Sequence, residues 1–225
     1  MAIVGTLYVV STPIGNLEDI TLRALRILKE ADLILCEDTR VTSKLLSHFQ
    51  IKKPLESFFE HSEVEKTTKV IERLSRDQNV VLVTDGGTPT ISDPGFRLVK
   101  AAIGRGVPVV PIPGPSAVIA ALSVSGLPTD KFTFVGFLPQ KEGKRKNFLE
   151  KIKDYGGTVV AYESPNRLIF TLNNLLEILG DVPVCIAREM TKIHEEIYRG
   201  SVVGAIEHFK DKEVKGEVTL VISLV

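Results

Sequence analysis

The chain has 225 residues, of which 44% are hydrophobic and 25% charged, so it contains enough apolar material for one large or two small globular domains. Lysine plus arginine and aspartate plus glutamate number 28 each, and a net charge of zero argues against a binder that is basic over its whole surface. No apolar run approaches the roughly 20 residues of a membrane-spanning helix, and the first residues lack the basic segment of a signal peptide. Cys36 and Cys185 each lie in an apolar run, which predicts buried, reduced thiols in a cytoplasmic protein.

The first half of the chain alternates predicted strands and helices. Apolar, β-branched runs bounded by Gly, Pro or charged residues predict strands at 6–11, 33–36, 80–84 and 107–112. Helical spacing of apolar residues predicts helices at 41–49, 64–74 and 96–103, and an earlier one with Leu22, Leu25, Ile27 and Leu28 on one face. This alternation indicates a largely parallel sheet flanked by helices.

The pattern changes after the proline-rich segment 111–115. A short helix is predicted at 116–123, followed by strands at 132–137, 158–162, 184–187, 195–200 and 217–224. Helices are predicted between them at about 144–155, 168–179 and 203–209. We therefore expect an α/β protein with an N-terminal α/β domain, 1–114, and a mixed α/β C-terminal domain, 115–225.

The segment from Asp85 to Gly95 stands out because it holds three glycines, two prolines and two aspartates directly after a predicted strand. Loops at the ends of strands are where α/β sheets bind ligands. Bare glycine backbone lets a ligand approach closely, and the carboxylates suit ribose hydroxyls or a cationic group. An ordinary strand-to-helix connection is the alternative explanation.

A short basic run follows the predicted strand at 132–137. It comprises Lys141, Lys144, Arg145 and Lys146, with Lys151 and Lys153 just beyond. In a neutral chain this run is a candidate for a local RNA-binding surface, whereas a solvated loop and helix face is the commoner structure for such runs.

The run Gly87-Thr88-Pro89, Ile91-Ser92-Asp93-Pro94-Gly95 and Leu98-Val99 resembles the signature of a bacterial family within the tetrapyrrole-methylase superfamily. Members of that family methylate the ribose 2′-oxygen of a cytidine in the decoding region of small-subunit ribosomal RNA. The resemblance continues in order over nearly the whole chain, through Thr12-Pro13-Ile14-Gly15-Asn16-Leu17 with Asp19-Ile20-Thr21, Glu37-Asp38-Thr39-Arg40, Pro113-Gly114-Pro115, Gly136-Phe137-Leu138-Pro139, Tyr162-Glu163-Ser164 with Arg167-Leu168, and Ala187-Arg188-Glu189 with Thr191-Lys192.

The resemblance implies two α/β domains with S-adenosylmethionine bound in a cleft between them. No Walker A sequence and no G-x-G-x-x-G after the first predicted strand is present, which argues against a phosphate-rich cofactor. A helix opening at Ser116 would offer free backbone N–H groups to a carboxylate. Carried over residue by residue, the cofactor contacts are Asp85, Gly86, Gly87, Thr88, Ile91, Asp93, Ser116, Ala117, Phe137, Leu138, Ala187, Gly216 and Glu217.

Candidate catalytic residues lie in the matched motifs at predicted strand ends. A base would help to remove the hydroxyl proton, and alignment of the reactants would supply most of the rate. Lys192 would act as a base only if its pKa were lowered, and Arg40, Arg167 and Arg188 are better explained as clamps for phosphate or carboxylate. The candidate bases are Glu37, Asp38, His61, Glu163 and Glu189.

The histidines are scattered without zinc-type spacing, so we expect no metal. The resemblance implies ribosomal RNA within the 30S particle as partner, a homodimer, and no membrane. Longer family members continue into a helical C-terminal extension, whereas this sequence ends at Val225, a difference that bears on RNA docking more than on cofactor binding. Two alternatives stay open: a methyltransferase for a tetrapyrrole-type small molecule, and a catalytically silent ribosome-binding module.

Overall fold

The computed structural model describes residues 4–59 and 63–225. The chain divides into two compact units, Met1–Ser116 and Ala117–Val225, each with its own five-stranded sheet. The predicted boundary between two domains, after residue 114, stays a prediction. Within the described ranges, no helix has both the length and the apolar character that crossing a bilayer would require.

The first unit is a parallel sheet, as predicted from the alternation of strands and helices. Its strands are β1 (Leu7–Val10), β2 (Leu33–Cys36), β3 (Leu55–Ser57), β4 (Val80–Leu82) and β5 (Val109–Ile112). Their order across the sheet is β3-β2-β4-β1-β5, and every pairing is parallel. The helices are α1 (Leu22–Glu30), α2 (Thr39–His48), α3 (Glu63–Leu74) and α4 (Phe96–Gly104).

Sequence reasoning missed the edge strand β3. It has only three residues, all half-buried, and it follows Pro54. A run this short shows no readable alternation, so β3 exists because β2 offers free backbone groups along its edge.

Helices cover both faces of the first sheet. On one face, buried residues of α1 and α2 pack on β1, β2 and β4, and on the other face α3 and α4 pack around Leu74 and Leu98. The predicted apolar face of α1 is partly wrong: Leu22 is 87% exposed, and the buried stripe is Ala24, Ile27 and Leu28. Leu22 lies at the first helical position, directly after the N-cap Thr21. Its side chain there lies outside the buried stripe that packs on the sheet.

The second unit is a mixed sheet in the order β6-β7-β10-β8-β9. Only β6 and β7 pair in parallel, and the other pairs are antiparallel. Its strands are β6 (Phe132–Phe137), β7 (Thr158–Glu163), β8 (Pro183–Arg188), β9 (Glu196–Ser201) and β10 (Val218–Ser223). Its helices are α5 (Ala117–Val124), α6 (Glu142–Ile152), α7 (Leu168–Leu179) and α8 (Val202–Phe209).

The register of this sheet brings several predicted site residues to one edge. Val218 lies opposite both Glu163 and Arg188, and Arg188 lies opposite Glu196. The ends of β7 and β8 therefore meet the beginnings of β9 and β10.

The predicted RNA role of the basic run is wrong for Arg145. Its side chain is buried, with a residue exposure of 3%, and its Nε donates to Asn174 Oδ1 at 2.8 Å. Nη1 donates to the backbone carbonyls of Gln140 (3.1 Å) and Pro139 (3.3 Å). Lys146 is also engaged, because it lies between Glu142 and Glu177. Since α6 turns these two side chains towards α7, only Lys141 and Lys144 of the run remain exposed.

We predict that Arg145→Ala lowers the free energy of unfolding by about 2–4 kcal/mol, because it leaves Asn174 and two carbonyls without their donor. Lys144→Ala, at the exposed neighbouring position, should change it by less than about 0.5 kcal/mol. Urea unfolding of both variants measures the difference, and equal midpoints would contradict the structural role of Arg145.

Candidate functional site

Polar residues gather at the carboxyl edge of the first sheet. Thr12 follows β1, Glu37 and Asp38 follow β2, and Asp85 follows β4. Because β2, β4 and β1 are neighbours in a parallel sheet, these loops emerge side by side. The neighbouring strands β1 and β4 also continue in opposite directions across the sheet, since β1 leads to β2 on one side and β4 leads to β5 on the other. Such switch points are where α/β sheets bind ligands.

The loop after β4 is attached to the loop after β1. The backbone N–H of Thr12 donates to Gly87 O at 2.9 Å, and that of Gly87 donates to Thr12 O at 3.0 Å. The Thr12 hydroxyl donates to Thr84 O at 2.9 Å. Thr88 adds a hydroxyl contact to Ser11 at 3.1 Å and donates to Pro115 O at 3.3 Å. The loops that follow β1, β4 and β5 therefore hold one another in place.

The Asp85–Gly95 loop has an unusual backbone. Gly95 has φ of +120°, and a Cβ there would overlap the side chain of Leu82. Thr90 and Ser92 adopt φ of +74° and +59° although neither is glycine. Positive φ in such residues is costly and concentrates at functional sites. Sequence reasoning could not find these two residues, because nothing in their identity signals a left-handed conformation.

Four carboxylates lie in or beside these loops. Asp38 donates its backbone N–H to Asp85 Oδ1 at 3.2 Å. Partial burial raises the pKa of Asp85 and of Asp93. Partial burial also raises the pKa of Glu37, and the nearby negative charges of Asp93, Asp85 and Asp38 add to the increase. The arrangement can accept hydrogen bonds from hydroxyl or ammonium groups, and it makes Glu37 a stronger proton acceptor than an ordinary glutamate.

Asp38 and Arg40 form a unit at the start of α2. Asp38 Oδ1 accepts the backbone N–H of Arg40 at 2.8 Å, which caps the helix. Its carboxylate also accepts from Arg40 Nε at 3.0 Å and Nη2 at 2.5 Å. The Arg40 hydrogen bonds lower the pKa of Asp38 to about 2. Asp38 is therefore a weak base at neutral pH, and the structure favours a role in holding the 86% exposed side chain of Arg40.

In the second unit, Glu163 is fully engaged by its neighbours. Its buried carboxylate accepts from the backbone N–H of Ser164 (2.6 Å), from Arg167 Nε (2.9 Å) and from the Thr171 hydroxyl (2.6 Å). It orders the turn between β7 and α7 and positions Arg167. Its side chain is fully buried and out of reach of a substrate hydroxyl, so the geometry favours a positioning role over that of a base.

Glu189, Lys192 and Glu217 form a charged cluster at the same edge. Glu189 Oε1 accepts from Lys192 Nζ at 2.8 Å and from the backbone N–H of Glu217 at 3.0 Å. Lys192 Nζ also donates to Glu217 Oε2 at 3.0 Å. Gly216 completes the cluster, because a Cβ at that position would overlap the Glu189 carboxylate. Glu189 and Thr191 adopt φ of +50° and +66°, so the turn after β8 is held in a left-handed conformation by these contacts.

Lys192 does not have the lowered pKa that a role as base would require. Burial alone would lower its pKa, but hydrogen bonds to Glu189 and Glu217 outweigh that effect and the pKa is raised. The same hydrogen bond from Lys192 is the main cause of the lowered pKa of Glu189. The prediction of Lys192 as a proton acceptor is therefore corrected to a fixed cation, and Glu189 is its anionic partner.

The remaining second-unit candidates differ in accessibility. Phe137 is 61% exposed, and its ring lies 5.3 Å from that of Tyr162. Leu138 and Ala187 are buried in the core, so their side chains offer no surface to a ligand. Ala187 lies within β8, whereas Leu138 follows the end of β6 and donates its N–H to Tyr162 O at 3.2 Å.

Other predictions have simpler outcomes. Ser116 ends the first unit and Ala117 begins α5, and both are half-buried. Arg188, expected to clamp a ligand, instead donates to Glu196 Oε2 and Lys215 O, each at 3.1 Å.

His61 lies outside the described residues. Within the described ranges, His, Cys, Asp and Glu side chains form no group of three that could hold a metal ion.

The chain matches the family model of the tetrapyrrole (corrin/porphyrin) methylases over residues 6–204. A relative from Thermotoga maritima is 49% identical over 219 residues, covering 97% of this chain and 98% of its own length. One from Halalkalibacterium halodurans is 49% identical over 218 residues, covering 97% of this chain and 75% of its own length. Both are named Ribosomal RNA small subunit methyltransferase I.

The fold is shared with a solved structure of uroporphyrin-III C-methyl transferase from Thermus thermophilus, which is complexed with S-adenyl homocysteine. The TM-score is 0.67 at 23% identity, and the match covers 97% of each chain. Matched motifs, fold and near-full-length similarity agree, and this chain belongs to the tetrapyrrole methylase family, in the branch whose curated members are named Ribosomal RNA small subunit methyltransferase I.

Proposed function

We propose that this protein is an S-adenosylmethionine-dependent methyltransferase that modifies the ribose 2′-hydroxyl of a cytidine in small-subunit ribosomal RNA. The observation that carries the proposal is the 49% identity to relatives named Ribosomal RNA small subunit methyltransferase I, which extends over 97% of the chain. The family motifs lie in loops at the ends of the strands of each sheet, which is where α/β proteins bind ligands.

The residues of the first unit fit such a cofactor. Gly86 is exposed and has no side chain to keep a ligand from the backbone of the Asp85–Thr88 loop, whereas both backbone groups of Gly87 are bonded to Thr12. Asp85 and Asp93 offer carboxylates to ribose hydroxyls or to an ammonium group. When bound, S-adenosylmethionine would supply an electrophilic methyl group on a sulfonium. The Thr12–Gly87 bridge would keep the loop in shape before binding, which reduces the entropy lost when the cofactor is ordered.

The second-unit residues in this proposal are Phe137, which offers an exposed ring, and the backbone of Leu138, Ala187 and Gly216–Glu217. Ser116 and the first residue of α5, Ala117, would add backbone N–H groups. These assignments follow the family resemblance, except that the side chains of Leu138 and Ala187 are buried and are not proposed to contact the cofactor.

Glu37 is the proposed general base among the candidates. Its raised pKa makes it the best proton acceptor of the carboxylates that follow β2. Arg40, anchored by Asp38, is exposed and suits a phosphate or carboxylate contact. Lys192, kept cationic by Glu189 and Glu217, would stabilise negative charge, and Glu163 would position Arg167.

The 30S particle is the proposed form of the substrate, a homodimer is the proposed assembly, and action on ribosomes would place the enzyme in the cytoplasm. A decisive experiment transfers tritiated methyl groups to purified 30S subunits from a strain that lacks this activity, followed by nucleoside analysis. We expect label in 2′-O-methylcytidine. Label in a tetrapyrrole but not in RNA would favour the small-molecule alternative, and cofactor binding without any transfer would favour a silent ribosome-binding module.

We predict that Asp85→Asn weakens S-adenosylmethionine binding about tenfold or more, because a hydrogen bond to a charged group contributes about 1.5–3 kcal/mol. The amide retains an oxygen for the Asp38 N–H, so the fold should be unchanged. Titration calorimetry measures the affinity, with Asp211→Asn, at an exposed position of the second unit, as the control. Unchanged affinity would move the cofactor away from this loop.

We predict that turnover decreases as the pH falls through the raised pKa of Glu37, because the base must be unprotonated to accept the hydroxyl proton. Glu37→Gln should lower turnover by about tenfold or more and remove this limb of the profile. Asp38→Asn should keep the limb, since the pKa of Asp38 is about 2. Single-turnover methylation from pH 4 to 9 measures both, and a limb that survives in Glu37→Gln would exclude Glu37 as the base.

A further inference from the structure

The chain has no net charge, so a polyanionic substrate needs a local concentration of basic side chains. Many lysines and arginines are engaged by carboxylates, for example Arg26 by Glu30 and Lys210 by Glu207. Of the basic run on α6, Arg145 lies in the core and Lys146 is paired with two glutamates, so that run offers fewer cations than its sequence predicts.

One face of α3 carries a series of basic residues. Lys66, Lys69 and Arg73 are spaced three and four residues apart, and Arg76 follows after three more in the turn that continues the helix. At about 3.6 residues per turn, this spacing places them within roughly a quarter of the helix circumference. We call these four residues the basic face of α3.

A surface depression lies against the basic face of α3. Its volume is about 400 Å³, and the residues that line it are Lys69, Glu72, Arg73, Arg76 and Gln78. Three of these are cationic, and among the described lining residues only Glu72 is acidic. Guanidinium forks and an ammonium group around one depression match the chemistry of a phosphate group.

The contacts of Lys66, Arg73 and Arg76 leave positive charge available. Lys66 donates to the backbone oxygen and hydroxyl of Ser57 and lies 5.3 Å from the centre of the Phe59 ring, and none of these groups carries a negative charge. Arg73 pairs with Glu56 at 2.9 Å, but both side chains are more than 40% exposed, so the pair is weak and replaceable. Arg76 is exposed, and no carboxylate of the described residues pairs with it.

Helix capping explains only part of this pattern. Basic residues near a helix C-terminus complement the helix dipole, which accounts for Arg73 and Arg76. The dipole gives no reason for Lys66, which lies about two turns before Arg73. A shared ligand explains why Lys66, Arg73 and Arg76 lie on one face.

The basic face of α3 begins near the candidate site of the first unit. Lys66 contacts Ser57 at the end of β3, and β3 is the neighbour of β2, after which Glu37 and Asp38 follow. From there the helix returns towards the start of β4. The helix rises about 12 Å from Lys66 to Leu74, enough to follow more than one phosphate of a nucleic-acid strand.

We propose that the basic face of α3 binds the sugar–phosphate backbone of the RNA substrate and positions the RNA relative to the loops of the first sheet. This assignment rests on the proposed function, since it presupposes an RNA substrate. Phosphate contacts position a nucleic acid without reading its sequence, so these side chains set affinity rather than the choice of nucleotide.

The test uses Lys69→Ala/Arg76→Ala, which spares the Arg73–Glu56 pair and the Lys66–Ser57 contacts. We expect binding to 30S subunits to weaken about tenfold or more near 0.1 M salt. The slope of log affinity against log salt concentration should become shallower by about 0.7–0.9 per lost contact. The affinity for S-adenosylmethionine should stay at the wild-type value. The matched control is Lys100→Ala/Arg105→Ala, which removes the same charge from exposed positions on and just after the neighbouring helix α4.

An unchanged salt slope in Lys69→Ala/Arg76→Ala would overturn the proposal, as would an equal loss in the α4 control. If wild-type protein methylates and binds 30S while both double variants behave alike, only the basic face of α3 is refuted. If wild-type protein neither binds nor methylates 30S, the proposed function fails, and this proposal fails with it.

Discussion

The reciprocal hydrogen bonds between Thr12 and Gly87 are the contact on which the first-unit site depends. β1 and β4 are neighbours in a parallel sheet, but each ends in a loop that is free to move away from the other. The bridge joins the two loops beyond the strands, and the Thr12 hydroxyl adds a bond to Thr84 O. Thr88 extends the connection to Pro115, after β5. With the backbone held at these points, the positive φ values of Thr90 and Ser92 can persist.

The second unit adds buried charge to backbone pairing in shaping its loops, since Glu189 N–H also donates to Glu217 O at 2.9 Å. Glu163 orders the turn after β7, and Glu189 joins the turn after β8 to the segment before β10. In both places a carboxylate accepts at least one backbone N–H and one basic side chain, so its charge is compensated where it is partly removed from water. In the proposed function, carboxylates bound in this way would position Arg167 and Lys192. Glu37, whose pKa is raised by partial burial and by nearby negative charge, would accept the proton.

The folded structure, and not the order of residues, shows which basic side chains are buried or paired and which line the surface. In a chain with 28 basic and 28 acidic residues, position in sequence says little about which cations are available. Lys141, Lys144, Arg145 and Lys146 are consecutive or nearly so, yet helix geometry sends Arg145 into the core and Lys146 to Glu177. Lys69, Arg73 and Arg76 are separated in sequence, but they line one depression because a helix repeats every three to four residues.

The family, the alternation that makes the first sheet parallel, and most of the helices could be predicted from the sequence, since these follow from motifs and from periods of two and 3.6 residues. The sequence also located the Asp85–Gly95 loop, because glycine and proline exclude regular structure there. The pairing of β3 with β2, the exposure of Leu22 and the burial of Arg145 became visible only in the folded structure. Only the folded structure likewise shows that Lys192 stays protonated and that Asp38 serves Arg40, because the proton affinity of a side chain depends on its spatial neighbours and its access to water, and neither is written in the order of the residues.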